Sequence, residues 1–284
     1  MLLESLVALS FFCQSQDSVK QEVQRVLWWP YYDIKTEEIK KEQKIVAPIP
    51  ILCCHWVVPK EHKVLSTARR YAQTIEEFRT TIRNYKKKGY EFITVTELYD
   101  LMSNYDSTKV NKEDTSKYVL ITVDDGLKCF YDYAYPILLE EKVKATLFIV
   151  NSCIEDSNNK GPYLSWKNIK EMYASGLVDV QSHTYDSHVI KGYNKSAVTT
   201  KAANEDSLEY MLRIFTDFLK SKQEIENRIG NKVIAIAWPF GLSNDVARRL
   251  AALAGYKLFF TVNGENFKLG KTYKDIPRRE AVFK

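Results

Sequence analysis

From about residue 46 the chain alternates short apolar runs with longer amphipathic stretches. The first run, "IVAPIPILCCHWVV", contains two prolines and after them reads as a buried strand. A helix is expected from Thr74, which opens a capping box with Glu77, to Lys88, with Gly89 stopping it. "EFITVTELYDLM" then predicts a short strand and a helix. The pattern continues with "YVLITVDDG" as strand, "YDYAYPILLEEK" as helix and "ATLFIV" as strand. "SWKNIKEMYASG" is a helix closed by Gly176, and "LVDVQSH" is a strand. A long helix is expected over about 201–229, followed by strand "KVIAIAWPFG", helix "NDVARRLAALAGY" and strand "KLFFTV". The tail "DIPRREAVF" predicts a last strand. Regular alternation of this kind requires parallel strands with helical crossovers, so the fold class is α/β, either a barrel or a doubly wound sheet.

No second core is visible, and the chain divides into an N-terminal extension, 1–44, and one catalytic-type domain, 45–284. Residues 14–44 are polar and charged, broken by "LWWPYY", as in a tether or an outer helical arm. The opening "MLLESLVALSFFC" is too short to span a bilayer. It reads either as the apolar part of a loose export signal with Cys13 as lipid-attachment site, or as an apolar N-terminal helix; Glu4 and the lack of a leading Lys or Arg count against the signal without deciding between them.

Composition narrows the picture modestly. The net charge of +5 is spread along the chain, which speaks against a nucleic-acid partner. The 5 cysteines include no C-x-x-C pair, which argues against a disulfide framework and a thiolate zinc site. The 18 tyrosines and 5 tryptophans suit stacking on sugars, although aromatic residues fill cores more often.

In parallel α/β folds, functional groups collect at the C-terminal ends of strands. Four predicted strand ends here carry unusual chemistry: His55; Asp124-Asp125-Gly126; His183 followed by His188; and Trp238-Pro239-Phe240-Gly241. Each is weak alone, since an Asp pair before Gly is commonly a turn or a helix cap. The fold brings all four to one rim. Two histidines and a carboxylate hold a divalent metal while leaving positions open, and a second carboxylate beside them supplies a base. The five-residue offset in "HTYDSH" does not fit one helical face, so that pair needs a turn at a strand end and a ligand from elsewhere.

These stretches resemble the polysaccharide deacetylases, the NodB-homology or carbohydrate esterase family 4 enzymes. "TVDDG" at 122–126 is similar to the family's T-F-D-D-G motif, "SHTYDSH" to its second motif, "WPFG" to its third and "IPRRE" at 276–280 to its closing strand. The longer spacing between the histidines resembles the poly-β-1,6-N-acetylglucosamine deacetylases of the intercellular-adhesin and PgaB type. The resemblance runs from about residue 46 to the C-terminus and implies a distorted (β/α)7-type barrel. It makes Asp125, His183 and His188 metal ligands and Asp124 the general base. No histidine follows His188, so the general acid falls on His55, as in the permuted subgroup, with Cys54 in place of that subgroup's tyrosine. The arginine that orients the base in many members is replaced at the matching positions by Ala235 and Ala237.

The resemblance further implies hydrolysis of N-acetyl groups on a glucosamine polymer, with a divalent ion as cofactor: zinc first, then cobalt, nickel or iron. Trp238, Pro239, Phe240, Gly241, Tyr185 and Arg278 are the candidate substrate contacts, with Arg278 or Arg279 also a candidate for positioning the acids. A backbone N–H of the Phe240–Gly241 turn is a candidate oxyanion donor, and Asp186 reads as a turn residue rather than a fourth ligand. The implied partners are an N-acetylglucosamine polysaccharide and an exopolysaccharide synthase or export machinery. Such polymers lie outside the membrane, which implies a secreted or envelope-anchored protein, lipidated if Cys13 is acylated. Deacetylation of peptidoglycan or chitin oligomers, and a catalytically silent carbohydrate-binding barrel, are the competing readings.

Overall fold

The computed structural model describes residues 19–21, 23–24, 48–62, 69–104, 117–155, 161–192, 195–268 and 275–280. Its principal sheet contains β1 (Ile51–Cys54), β2 (Glu91–Phe92), β3 (Tyr118–Val123), β4 (Ala145–Ile149), β5 (Val178–Ser182), β6 (Ala235–Ala237), β7 (Leu258–Phe260) and β8 (Arg279–Glu280). The order is β7-β6-β5-β4-β3-β1-β8, with β2 on the first residues of β3, and every pairing is parallel. A parallel bridge between Phe260 and Ile276 carries segment 275–280 from β7 across to β1, so the curled sheet closes through one short segment. This is the distorted barrel expected from the motifs.

The helices are α1 (Ile75–Lys87), α2 (Val95–Ser103), α3 (Tyr135–Glu141), α4 (Trp166–Ala174), α5 (Ser207–Ile229) and α6 (Asp245–Leu253). Reciprocal capping boxes start four of them: Thr74 with Glu77, Thr94 with Glu97, Ser165 with Asn168 and Asp206 with Glu209. The Asp206 cap explains why α5 begins at Ser207 and not near 201. The expected helix "YDYAYPILLEEK" starts instead as a π-type turn, Phe130–Ala134. Pro136 has no N–H for the carbonyl four residues back, and the wider turn accommodates its ring.

Apolar residues form two clusters on opposite faces of the sheet. One, including Ile51, Leu120, Phe148, Ala235 and Phe260, fills the barrel, and Val95 and Leu98 of α2 belong to it. The other packs α1, α3, α4, α5 and α6 against the outer face. The described part of the N-terminal extension is helical, and Val23 is buried in this outer cluster. Cys13 and "LWWPYY" lie outside the described residues. Among the described residues, no helix is long and apolar enough to cross a membrane.

The period-2 geometry of β5 shows how the barrel wall becomes a site. Asp179, Gln181 and His183 alternate along one face. Asp179 accepts from the Thr96 N–H and hydroxyl at the start of α2. β5 and β6 share a single register pair, Ile236 with Ser182. Side chains stitch the rest of that seam: Gln181 Oε1 accepts from Ile234 N and Ala235 N, and the His183 ring bonds Ala237 O.

Candidate active site

Four strand ends deliver the expected groups to one rim. Asp125 Oδ1 lies 3.6 Å from His183 Nε2 and 3.4 Å from His188 Nε2. Donors bound about 2.1 Å from a zinc-sized ion at tetrahedral angles stand about 3.4 Å apart, so the separations fit such an ion. The chemistry of the donors fits as well. His183 Nδ1 lies 2.8 Å from Ala237 O, and a carbonyl can only accept; Nδ1 therefore carries the proton and Nε2 keeps its lone pair toward Asp125. Burial pushes His183 down to about 3 and lowers His188 too, which keeps both imidazoles neutral.

Asp124 stands beside this trio and is 2% exposed. Arg278, fully buried, grips it with both arms: Nη1 donates to Oδ1 at 2.6 Å and Nη2 to Oδ2 at 2.7 Å. Burial alone would raise the Asp124 carboxyl. The Arg278 charge and its two hydrogen bonds overcome that and hold it well below the usual carboxylate range. Arg278 is itself fixed by bonds to Thr122 Oγ1 and Thr261 O, and its guanidinium lies over the Phe148 and Phe260 rings. The arginine missing before Pro239 is thus replaced from the closing segment. Arg278 lies behind the acid, which corrects its expected role as a substrate contact. Arg279 turns to Tyr85.

His55 Nε2 and His183 Nε2 each lie 4.0 Å from Asp124 Oδ2. The His55 ring rests 5.0 Å from that of Tyr71, an aromatic neighbour the sequence did not suggest. The buried thiol of Cys53 donates to Asp124 Oδ2 at 3.6 Å. Cys53, His55 and Asp124 are close enough to form a second ligand set, but the guanidinium already on Asp124 opposes a cation there.

The aromatic expectations divide. Phe240 is 40% exposed and its ring lies 4.5 Å from that of His188, at the mouth of the site. Trp238 is fully buried: it stacks on Phe259 and donates to Asp275 Oδ1 at 2.7 Å. Its ring and that of buried Pro239 cannot wall a sugar. The Tyr185 ring lies 3.6 Å from Lys220 Nζ, so its described contact is with α5. Gly241 N–H already donates to Trp238 O and Leu242 N–H to Pro239 O, leaving only Phe240 N–H in that turn as a candidate oxyanion donor. Gly241 has φ +70, and a Cβ there would meet Val262 Cγ2 at 2.5 Å.

Three other residues at the site are held at positive φ: Asp125 at 74°, Thr184 at 80° and Phe240 at 59°. Non-glycine residues adopt this region at a cost, and surrounding contacts must hold them there. For Thr184 the contacts are plain. Its N–H donates to Ser182 Oγ, its carbonyl accepts from Asn151 N, and the next two N–H groups donate to Asp217 of α5. Burial pushes the Asp217 carboxyl up, and these bonds oppose that. Asp186 accepts from Ser152 Oγ at 2.7 Å, as suits a turn residue.

A family model described as polysaccharide deacetylase matches residues 111–259. Poly-beta-1,6-N-acetyl-D-glucosamine N-deacetylase from Staphylococcus epidermidis is 29% identical over 195 residues, covering 68% of this chain and 62% of that protein. The protein of the same name from Staphylococcus aureus is 30% identical over 196 residues, again 68% of this chain and 62% of the relative. The chain therefore spans less than two thirds of the length of these relatives. IcaB from Ammonifex degensii superposes with a TM-score of 0.67 at 25% identity, over 82% of this chain and 91% of that one. A de-N-acetylase from Aggregatibacter actinomycetemcomitans shares the fold, with a TM-score of 0.68 at 24% identity over 84% of this chain and 97% of the other. Sequence match and fold agree with the motifs, and the chain belongs to the polysaccharide deacetylase family.

Proposed function

We propose that this protein is a metal-dependent N-deacetylase that hydrolyses N-acetyl groups on poly-β-1,6-N-acetylglucosamine. The observation that carries the reading is the joint presence, on one rim, of a two-histidine, one-carboxylate donor set and a separate carboxylate held by Arg278. The relatives' names support the choice of polymer. Asp125, His183 and His188 would hold the ion, which when bound supplies Lewis acidity toward water and the acetyl carbonyl.

The remaining chemistry belongs to the chain. Asp124 is ionised at neutral pH, and its carboxylate takes a proton from the attacking water. Arg278 fixes the plane of that carboxylate and cannot take the proton away, because a guanidinium stays charged. His55, across the site at 4.0 Å from Asp124 Oδ2, donates a proton from Nε2 to the departing amine nitrogen. Phe240 offers an apolar face beside His188 for the sugar or its acetyl methyl. The products are a free glucosamine amine and acetate.

Since the polymer lies outside the membrane, the proposal carries an extracytoplasmic location, with Cys13 as the candidate anchor. Metal content of the purified chain, measured together with acetate release from a β-1,6-linked N-acetylglucosamine oligomer, tests the reading. Faster release from chitin oligomers or peptidoglycan would move the substrate assignment. A chain that takes up no zinc, cobalt or nickel would remove the mechanism.

A further inference from the structure

The two histidine ligands are separated by Thr184-Tyr185-Asp186-Ser187, a turn one residue longer than the usual family spacing. A turn of this length does not place His188 by itself. Strand pairing ends at Ser182, and Thr184 is β-branched yet sits at φ 80°. The path to His188 therefore depends on what holds the turn from outside.

One side chain does most of this. Asp217 Oδ1 accepts from Tyr185 N at 3.0 Å, Oδ2 accepts from Asp186 N at 2.8 Å, and the carboxylate also bonds the Ser187 side chain. All three successive residues before His188 are thus bound to one carboxylate. Asp217 is only 9% exposed and belongs to the buried stripe of α5 that also holds Ile214, Phe218 and Ser221. A charged residue in that stripe is out of character for helix packing. Ser221 extends the attachment, bonding Ser182 Oγ at 2.7 Å and Asn151 Oδ1 at 2.8 Å.

We propose that Asp217 is a positioning residue for the metal site: it sets the length and direction of the 184–187 turn, and so the distance of His188 from His183 and Asp125. The inference rests on the metal reading above and deepens it. It touches neither substrate nor ion. It acts through the backbone, as an outer partner that holds a ligand in place. Asp217→Asn keeps the shape but turns an N–H₂ toward one of the two backbone N–H groups, so one arm of the clamp is lost.

The test is metal affinity of the full chain. Zinc dissociation constants are measured by competition with a chromophoric chelator, and the ligand field is read from the visible spectrum of the cobalt-loaded protein. Asp217→Asn is expected to weaken zinc by about 10- to 100-fold, the range for lost outer-shell partners, and to alter the cobalt bands. Ser187→Ala, which removes one donor and leaves the carboxylate, is expected to weaken zinc less, in the same direction; it carries the test if Asp217→Asn does not fold. Asp179→Asn is the matched control. It removes a buried carboxylate that caps α2 at the opposite end of β5, so it should lower the melting temperature and leave zinc affinity unchanged. Zinc affinity within about twofold of wild type in folded Asp217→Asn, or in Ser187→Ala where Asp217→Asn does not fold, would overturn the proposal, since outer-shell losses are larger than that. Equal weakening by Asp179→Asn would overturn it too, by showing a general effect of stability. Asp125→Asn separates the two readings: if it binds zinc as wild type does, or if wild type binds none, the metal reading itself fails and this inference with it.

Discussion

Replacing Arg278 by Met tests the central electrostatic argument. The substitution keeps most of the apolar stem and removes the guanidinium from both Asp124 oxygens and from Thr122. Arg278 is fully buried and Asp124 is 2% exposed, so water cannot take over. Breaking a buried pair from one side typically costs about 3–5 kcal/mol. At roughly 2–4 °C per kcal/mol for a domain of this size, that corresponds to a fall of about 6–20 °C in melting temperature. The sign with pH is also determined. In wild type the Asp124 carboxyl is held below its ordinary value, so its stabilisation is fully present above the unfolded pKa and is lost as pH falls from there through the lower folded pKa. In Arg278→Met burial dominates and the carboxyl rises. That component then reverses: the variant gains relative to wild type on acidification. Thermal melts across a pH series read the difference, and acetate release read alongside should show an acid limb displaced upward with a large loss of kcat/KM at neutral pH. A melting temperature within about 2 °C of wild type, with activity preserved, would refute the reasoning, because it would mean the pair contributes less than about 1 kcal/mol.

Asp124→Asn leaves the buried Arg278 without its carboxylate, so it should lower the melting temperature as well as lose roughly 10²- to 10⁴-fold in kcat, the usual contribution of a positioned base; unchanged acetate release from the folded variant would remove Asp124 from that role. Trp238→Phe should lower stability by about 1–3 kcal/mol, because Asp275 loses a buried partner, while KM for the polymer stays put; Phe240→Ala should do the reverse. Gly241→Ala drives a Cβ to 2.5 Å from Val262 Cγ2 at φ +70, and should cost about 1–3 kcal/mol in chemical denaturation. In the metal-free protein, His183 is neutral in the fold down to about 3, against 6.5 as a free group, so the unfolded chain binds more protons between those values. Stability from this group is full above 6.5 and falls as pH drops toward 3; His183→Gln should flatten that part of a pH–melting curve.

Much of the fold was legible because its signals are local. The capping box at Thr74 and the apolar strand runs require only neighbours in sequence. The four-ended rim followed from the βα alternation, which puts every strand's C-terminus on one side. The longer-range choices were not legible. Trp238 looked like a sugar wall because a tryptophan beside a turn carries no mark of its burial; Asp275, 37 residues on, draws it inward. Ala235 and Ala237 offer no guanidinium to Asp124, and the one that grips it lies 154 residues away and reaches it only because β8 pairs with β1. Asp217 had a signal that went unread: an acid in the apolar stripe of α5.

The class of fold, the order of its elements and the donor types available at strand ends follow from the chain's residues alone, since these depend on periodicity, caps and composition. Which of those donors face one another, and in what state, is set by the folded packing. That packing buries Asp124 against Arg278, turns His183 Nδ1 to Ala237 O, and hangs the His183–His188 turn on Asp217. The physical reason is that charge state and ligand geometry follow from burial and from partners distant in the chain, and only closure of the barrel brings those partners within hydrogen-bonding reach.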